Sequence, residues 1–400
     1  MSTIRFIGKA TTVAQVDTFT PANVEVDDVF TLTITGVDGS THSVSFTATA
    51  GTVANVTEGL AAAWNAETNA LCAAITAADE TTYLTLTADT AGVGFSVAAT
   101  TTDGGGTNDQ TLTRSVTTAN SGPKDWSCAD NWSGGAVPGG AASQDVIVEG
   151  AEILYGLDQS GISETLDSLT IINSQIGSNP ATGYLPVYLQ IKTSKLYIGR
   201  QSGPGTVTED TPVLVDTGST ACDCVVYNSG VNSTSTMPAV RLLADSDSST
   251  LKVNGGIVGI ALISGETGQY TSISSKGTLY VGSGLTLGTL NIQDGTGQFS
   301  CSLTALNQYD GTLTSSGSGT ITTATIYDGD FISNSTGTIT LLNNISGDVN
   351  MLQSSEARTI SELKMGHGAI FKYDPAVVEL ADHIKPYLAT QEIKIKAETV

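Results

Sequence analysis

Three aspartates stand directly before a glycine in a repeated phrase, and they are the residues best placed to do chemistry. They are Asp294, Asp310 and Asp328, in "LNIQDG", "LNQYDG" and "ATIYDG". If the repeats stack as strands, these carboxylates form a ladder with neighbours about 5 Å apart. Such a pair could be the acid and nucleophile of a glycosidase, or could bind Ca²⁺.

The same Asp-Gly pair is also ordinary turn chemistry, and we favour that interpretation. Glycine tolerates a positive φ, and aspartate hydrogen-bonds to its own backbone. The repeated segments also lack the Trp and Arg residues that sugar-binding grooves usually contain. The ladder is therefore expected to form turns, with metal binding and catalysis as the alternatives.

The cysteines and histidines show no spacing typical of a reactive site. Cys222 and Cys224 could be half of a metal site, but residues two apart in a strand simply share a face. The odd number and scattered spacing argue for free, at least partly buried thiols rather than a disulfide framework; the five are Cys72, Cys128, Cys222, Cys224 and Cys301. No metal-ligand spacing involves His42, His367 or His383, and no Gly-x-Ser-x-Gly motif occurs. We predict a protein that is not an enzyme, with no catalytic, cofactor-binding or metal-binding residues.

Composition favours an all-β protein with many turns. Charged residues make up 14% of the 400 residues, and 44 residues are glycine. A net charge of −23 repels phosphate backbones, which argues against a nucleic-acid partner. The N-terminus lacks a secretory signal pattern and no segment reaches about 20 consecutive apolar residues, so we expect cytoplasmic synthesis and no membrane insertion.

The first section, residues 1–121, is predicted to be a β-sheet domain with one packed helix. Alternation from Phe30 to Ile34 and from Val44 to Phe46, around Asp38-Gly39, indicates a hairpin. A helical stripe behind a candidate cap at Thr52 then follows; it consists of Val53, Val56, Leu60, Ala63 and Trp64.

Residues 122–145 show neither the alternation of a strand nor the 3.6-residue period of a helix. They are rich in Gly, Pro, Asn and Ser, which indicates a linker. Trp126 and Trp132 lie within it. Exposed tryptophans could be a platform for a ligand, but we expect them instead to cover the open end of the next domain.

Residues 146–374 are predicted to form a single-stranded, right-handed parallel β-helix. Short strands with period 2 end at glycines that recur on average every ~19 residues, which is typical of a solenoid. These glycines are Gly256, Gly277, Gly295, Gly311, Gly329, Gly347 and Gly368. The remaining residues, 375–400, are a cap or tail. There "DPAVVELADHI" could be a helix that begins at Asp374-Pro375, or one more strand.

Two stretches resemble a largely uncharacterised group of tailed-phage and prophage virion proteins. "AQVDTFTPANVEVDDVFTLTITGVDGS" with "TYLTLTADTAGVGFSVAATTTDGGG" resembles their N-terminal domain. "ANSGPKDWSCADNWSGGAVPGGAASQDVIVEGAEILYGLDQS" resembles the entry into their β-solenoid. The resemblance covers most of residues 10–380, implies a component of a virus particle, and carries over no catalytic residue.

The functional expectation is a non-enzymatic virion structural protein, a capsid decoration or cement protein on the particle surface. Its expected partners are further copies of itself, as a homotrimer, and the major capsid protein or other virion proteins. The alternative is a tail fibre or tailspike-like protein that recognises host surface glycans. A bacterial surface adhesin is a weaker possibility, because the sequence contains no anchor motif.

Overall fold

A computed structural model describes residues 2–178, 186–200, 211–229 and 238–388 of the chain. The first part contains one α-helix, α1 (Val53–Ala66), two short 3₁₀ turns at Cys72–Ala74 and Ala129–Asn131, and eight strands. The strands are β1 (Ser2–Arg5), β2 (Val16–Ala22), β3 (Val29–Thr35), β4 (Thr41–Thr47), β5 (Ile75–Asp79), β6 (Leu84–Ala88), β7 (Ser96–Thr102) and β8 (Thr111–Thr118).

Strands β2 to β8 and α1 form a domain of two antiparallel sheets. One sheet has the order β5-β6-β2-β8 and the other β4-β3-β7. The predicted hairpin is the β3–β4 pair, in which Phe30 lies opposite Phe46. The predicted helix begins as expected, with Asn55 donating its backbone N–H to the Thr52 hydroxyl. The helical stripe packs into the core, where Trp64 is buried and its Nε1 donates to the Ile75 carbonyl at 3.0 Å.

The second part is built almost entirely from short strands. In chain order they are β9 (Gln144–Glu149), β10 (Glu152–Ile153), β11 (Asp158–Gln159), β12 (Ser168–Ile172), β13 (Gln175–Ile176), β14 (Leu189–Ile191), β15 (Lys195–Ile198), β16 (Val213–Asp216), β17 (Asp223–Val226), β18 (Val240–Leu243), β19 (Thr250–Val253), β20 (Ile257–Ile260), β21 (Gly268–Ser275), β22 (Thr278–Val281), β23 (Leu285–Ile292), β24 (Thr296–Phe299), β25 (Leu303–Gln308), β26 (Thr312–Ser315), β27 (Ile321–Ile326), β28 (Asp330–Ser333), β29 (Ile339–Asn344), β30 (Asp348–Asn350), β31 (Arg358–Met365), β32 (Ile370–Lys372), β33 (Val378–Leu380) and β34 (Lys385–Pro386).

These strands form two long parallel sheets, as expected for a β-solenoid. Among the described residues, sheet A runs β1-β9-β12-β15-β17-β19-β21-β23-β25-β27-β29-β31-β33. Sheet B runs β10-β13-β16-β18-β20-β22-β24-β26-β28-β30-β32. The rungs of sheet A are short and regular in its second half, where Thr289 pairs with Ala305 and Ala305 pairs with Thr323. They are longer in its first half, where Asp223 pairs with Thr250.

Inward-facing side chains stack on their counterparts in the next rung, and this stacking forms the core. One continuous column of sheet A consists of Val146, Leu169, Leu196, Cys224, Leu251, Ile273, Leu290, Leu306, Ala324, Leu342 and Leu363. All of them are buried. Burial of a Leu or Ile stabilises a fold by about 1.5–3 kcal/mol, so every rung depends on its neighbours above and below.

The first strand of the chain belongs to the solenoid rather than to the N-terminal sheets. Residues Ser2–Arg5 pair in parallel with β9, and Ile4 joins the solenoid core. The N-terminal domain that the sequence predicts at residues 1–121 therefore includes one strand of the solenoid. Residues 16–118 lie between that strand and the rest of the rod.

The two connections to the N-terminal sheets are fastened together where they leave the rod. Val13 donates its N–H to the Ser121 carbonyl at 2.9 Å. The buried side chain of Asn131 accepts from the Ala10 N–H at 2.8 Å and donates to the Gly122 carbonyl at 2.8 Å. Because both connections are fixed to the same point, the N-terminal domain is attached to one end of the rod.

The linker tryptophans close that end, as the sequence predicted. Trp126 and Trp132 are buried and meet edge to face, with ring centroids 4.7 Å apart. Phe6 packs on Trp132 at 5.0 Å. The three rings cover the apolar interior of the first rungs.

The opposite end is formed by strands, so the helix considered for "DPAVVELADHI" is wrong. Val378–Leu380 pairs with β31, and Lys385–Pro386 pairs with the same strand further along. Asp374 caps only a tight turn, accepting the Ala376 N–H at 2.8 Å. The strand is favoured because it pairs with the backbone of β31: Arg358 donates its N–H to the Val377 carbonyl at 2.9 Å, and Ala381 donates to the Ile360 carbonyl at 3.0 Å. The predicted tail beyond residue 388 lies outside the described residues.

Glycines at the corner between sheets A and B are required by both conformation and space. Gly311 and Gly329 have φ values of +81° and +80°. A Cβ on Gly311 would lie 2.2 Å from the carbonyl oxygen of Gly295, and one on Gly329 would lie 2.4 Å from that of Gly311. Each corner backbone therefore rests directly on the corner below it, which leaves no room for a side chain.

Replacing Gly311 with alanine should destabilise the rod more than the same change at Gly368. Gly368 has φ +84° with nothing within 4 Å of an added Cβ, so only the left-handed conformation costs about 1–2 kcal/mol there. Gly311→Ala adds overpacking of about 1–3 kcal/mol. Urea unfolding followed by circular dichroism measures both variants. Equal losses of stability in the two would contradict the stacked-corner geometry.

Candidate functional site

The three candidate aspartates occupy equivalent corners, as the repeats predicted. Each carboxylate accepts the N–H of the glycine that follows it, at 2.6 Å for Asp294, 2.7 Å for Asp310 and 2.8 Å for Asp328. All three side chains are exposed. One oxygen of each carboxylate is thus engaged in holding the turn that the glycine makes.

Two tyrosines stack beside these corners. Tyr309 and Tyr327 are 45% and 38% exposed, and their rings lie 4.8 Å apart and nearly parallel, at 5°. That separation equals the spacing of neighbouring strands. The ring faces are turned towards each other along the rod, so the pair supports the stack of rungs rather than presenting an open aromatic platform.

The three corners repeat a single local environment along the rod. Across the described residues no group of three or more His, Cys, Asp or Glu side chains could hold a metal ion. A glycosidase also needs two carboxylates in different environments, so that one stays protonated. The three corners are instead repeats of one exposed environment. The arrangement is best suited to shaping turns.

A buried charge cluster was missed by the sequence reasoning. Arg241 and Glu266 form an ion pair at 2.8 Å, with side chains only 1% and 5% exposed. The Tyr188 hydroxyl donates to the same carboxylate at 2.8 Å, and the Ile263 N–H donates to its other oxygen at 3.0 Å. Burial raises the pKa of Tyr188 well above its usual value, so this hydroxyl stays a donor.

The cluster lies outside the apolar interior of the solenoid. Val240 and Leu242 point into the core, so Arg241 between them points outward from sheet B. The loop that carries Glu266 covers it, and Gly259 on the next strand leaves space for Pro238 and Leu262. A single arginine within the apolar run "AVRLLA" was the available sequence signal. The contacts fasten a covering loop to the rod.

The cysteines are free thiols held in apolar surroundings. The sulfurs of Cys222 and Cys224 lie 3.5 Å apart, both buried, and Cys224 occupies the same inward column as leucines of neighbouring rungs. Burial raises the pKa of Cys72 to about 11 and that of Cys301 to about 12. Only Cys128 is partly exposed. This pattern is that of packing thiols rather than reactive ones.

A shallow polar depression of about 340 Å³ lies beside sheet B. Asp216 and Lys192 are among its lining residues. The Lys192 ammonium donates a hydrogen bond to the Ile162 carbonyl at 2.9 Å. Burial raises the pKa of Asp216, while the Gly218 N–H donates to its carboxylate at 2.9 Å. Each of these two charged groups makes one hydrogen bond to the local backbone.

Comparison with known proteins identifies no relative. No family model, no curated protein and no solved structure matches the chain. The resemblance to phage virion proteins therefore remains a prediction from the quoted residues. In the described part of the chain, no helix has the length and apolar character required to cross a bilayer.

Removing Arg241 should be much more costly than removing a surface cation. Arg241→Ala leaves the Glu266 carboxylate buried without its cation, for which about 3–5 kcal/mol is expected. Lys372→Ala, which breaks the exposed pair with Asp348, should cost less than about 1 kcal/mol. The double variant Arg241→Met/Glu266→Gln should recover part of the loss. Urea unfolding provides the comparison, and equal effects of the two single variants would contradict the buried pair.

Thiol labelling at pH 8 should modify one cysteine quickly in the folded protein and all five in denaturant. The raised pKa values of Cys72 and Cys301 leave almost no thiolate at that pH, and burial blocks access. Above the ordinary thiol pKa, stability should fall with rising pH up to about 12, because there only the unfolded chain ionises these groups. Cys128→Ser is the control and should abolish fast labelling. Rapid reaction of a second thiol would contradict the packing.

Proposed function

We propose that this chain is a non-enzymatic structural protein of a virus particle, a capsid decoration or cement protein whose β-helical rod projects from the surface. The observation that carries the proposal is the rod itself. Thirteen successive strands of sheet A, spaced about 4.8 Å apart, give a length of roughly 60 Å. A stacked β core of this kind suits a role that demands rigidity outside a cell.

The corner chemistry supports a structural role over an enzymatic one. The aspartates that could have formed a ladder of catalytic groups instead hold turns through hydrogen bonds to Gly295, Gly311 and Gly329. The rungs are proposed to coil in a right-handed sense with about 19 residues each, the mean spacing of the corner glycines. Right-handed crossovers between parallel strands are favoured by the twist of the strands.

The N-terminal domain is proposed to be the attachment point and the rod the projecting part. The domain lies at one end of the rod, where Val13 pairs with Ser121. The rod then extends away with its long sides free to pair with copies of itself. A homotrimer is the proposed assembly, since symmetric closure is the usual outcome for identical subunits.

The proposed role predicts many copies of the chain in each particle. Quantitative mass spectrometry of purified particles should give a copy number comparable with that of the major shell protein. A few copies per particle would contradict a decoration role and favour the alternative of a tail fibre or tailspike-like protein. In that alternative the protein should bind or cleave host surface glycans, and loss of cleavage in Asp310→Asn would assign the chemistry to the corner ladder.

Excision of the N-terminal sheets should separate attachment from rod folding. Because Val13 and Ser121 are paired, a short Gly-Ser linker can replace residues 14–120 while β1 remains on β9. This variant should keep the circular dichroism of a β rod but fail to bind particles stripped of the native protein. A chain that begins at Gly122 is the control, and it should be less stable because it lacks β1 and Phe6. Particle binding by the excised variant would place the attachment on the rod.

A further inference from the structure

Charge is confined to one edge of the rod over five rungs. Between Gly268 and Asn350 the chain contains only six charged residues: Lys276, Asp294, Asp310, Asp328, Asp330 and Asp348. The first four directly precede the stacked corner glycines, and the last two begin β28 and β30 in sheet B. In a chain with net charge −23, the other sides of these rungs carry no charge.

The outer face of sheet A is the broadest of these uncharged sides. Two of its columns, which we call the uncharged face, are Ser272, Thr289, Ala305, Thr323 and Leu341, and Ser274, Asn291, Asn307, Thr325 and Asn343. Charge returns at both ends, with Lys252 beside Ser274, and Glu362 and Lys364 on β31. Side chains of the second column hydrogen-bond along the rod: the Asn307 side-chain amide donates to the Asn291 amide oxygen at 3.0 Å.

The turns that lead from sheet B back to sheet A form a second uncharged side. They are built from Gly, Ser, Thr, Asn and Cys at residues 282–284, 300–302, 316–320 and 334–338. These turns stack as closely as the charged corner does. A Cβ on Gly337 would lie 2.0 Å from the Gly319 carbonyl oxygen.

We propose that the uncharged face is where copies of this chain meet, side by side, in a ring of three. The inference rests on the structural role proposed above and names the surface that the assembly uses. Two molecules of net charge −23 repel, and the repulsion is weakest when the uncharged face of one copy meets an uncharged side of the next and the acidic edges point away. Interface centres are also depleted in charged residues.

The rung repeat favours a second copy over an unrelated partner. Side chains on the uncharged face recur at the strand spacing of about 4.8 Å. Only a surface with the same repeat can match them on five successive rungs, and another copy aligned along the rod supplies that repeat. The small hydroxyl and amide side chains of the face, and the small residues of the turns, allow two copies to approach closely.

The area of the face favours three copies over two. Five strands cover roughly 24 Å along the rod and about 20 Å across it, so a pair of faces would bury on the order of 1,000 Å². That is near the lower limit for a specific interface, about 1,000–1,200 Å². In a ring, each copy uses its uncharged face against one neighbour and its uncharged turns against the other, which doubles the area per copy.

Placing one charge on the face tests the proposal. The isolated full chain should have a mass three times 40.9 kDa by light scattering. Thr323→Glu, on the uncharged face, should reduce it to 40.9 kDa, because three carboxylates would be buried without partners. Thr314→Glu is the matched control and should leave the mass unchanged. Thr314 lies on β26, the strand that precedes β27 in the chain, and faces outward from sheet B.

Cysteine cross-linking keeps the test decisive should Thr323→Glu misfold. In a Cys128→Ser background, Thr323→Cys combined with Ser318→Cys on the uncharged turns should give covalent multimers with a short bifunctional maleimide. Thr314→Cys combined with Ser318→Cys should give none. A monomeric full chain, or an unchanged mass in folded Thr323→Glu, overturns the proposal. Loss of particle binding by Thr323→Glu without a change in mass also overturns it, because the face would then meet a shell protein. The solution mass does not depend on particle composition, so the two proposals can fail separately.

Discussion

The rod depends on the contact between the corner glycine of one rung and the carbonyl oxygen of the corner glycine beneath it. Gly311 rests on Gly295 and Gly329 rests on Gly311, at distances that exclude even a methyl group. This approach allows sheets A and B to keep the strand spacing through the corner. The inward apolar columns can then stack without gaps, and the exposed aspartates are positioned by the turn that they help to form.

The same corner explains the distribution of charge. The residue before each corner glycine points away from the core, and it is the position where Lys276, Asp294, Asp310 and Asp328 occur. Solubility of a Ser/Thr-rich rod requires charge somewhere, and an exposed corner carries it without disturbing a sheet face. Over the five rungs from Gly268 to Asn350 the faces between these corners carry no charge, which makes lateral pairing of like-charged copies physically feasible.

Much of the fold could be predicted because its signals are local and repeated. The corner glycines, the Thr52 helix cap and the hairpin around Asp38-Gly39 each depend on a few neighbouring residues. What the sequence did not reveal depends on distant pairings. Ser2–Arg5 pairs with β9 although the whole N-terminal domain lies between them in the sequence. Arg241 contacts Glu266 only because a loop folds over sheet B. The candidate ladder at Asp294, Asp310 and Asp328 was located correctly, since its residues share one repeat.

A reconstruction of the virus particle at side-chain resolution tests the central claim most directly. The account predicts rods in groups of three, with Thr323 at the contact between copies, Asp310 facing solvent and the N-terminal sheets on the shell. Rods that stand singly with Thr323 exposed would contradict the assembly. Absence of the chain from the particle would contradict the proposed function itself.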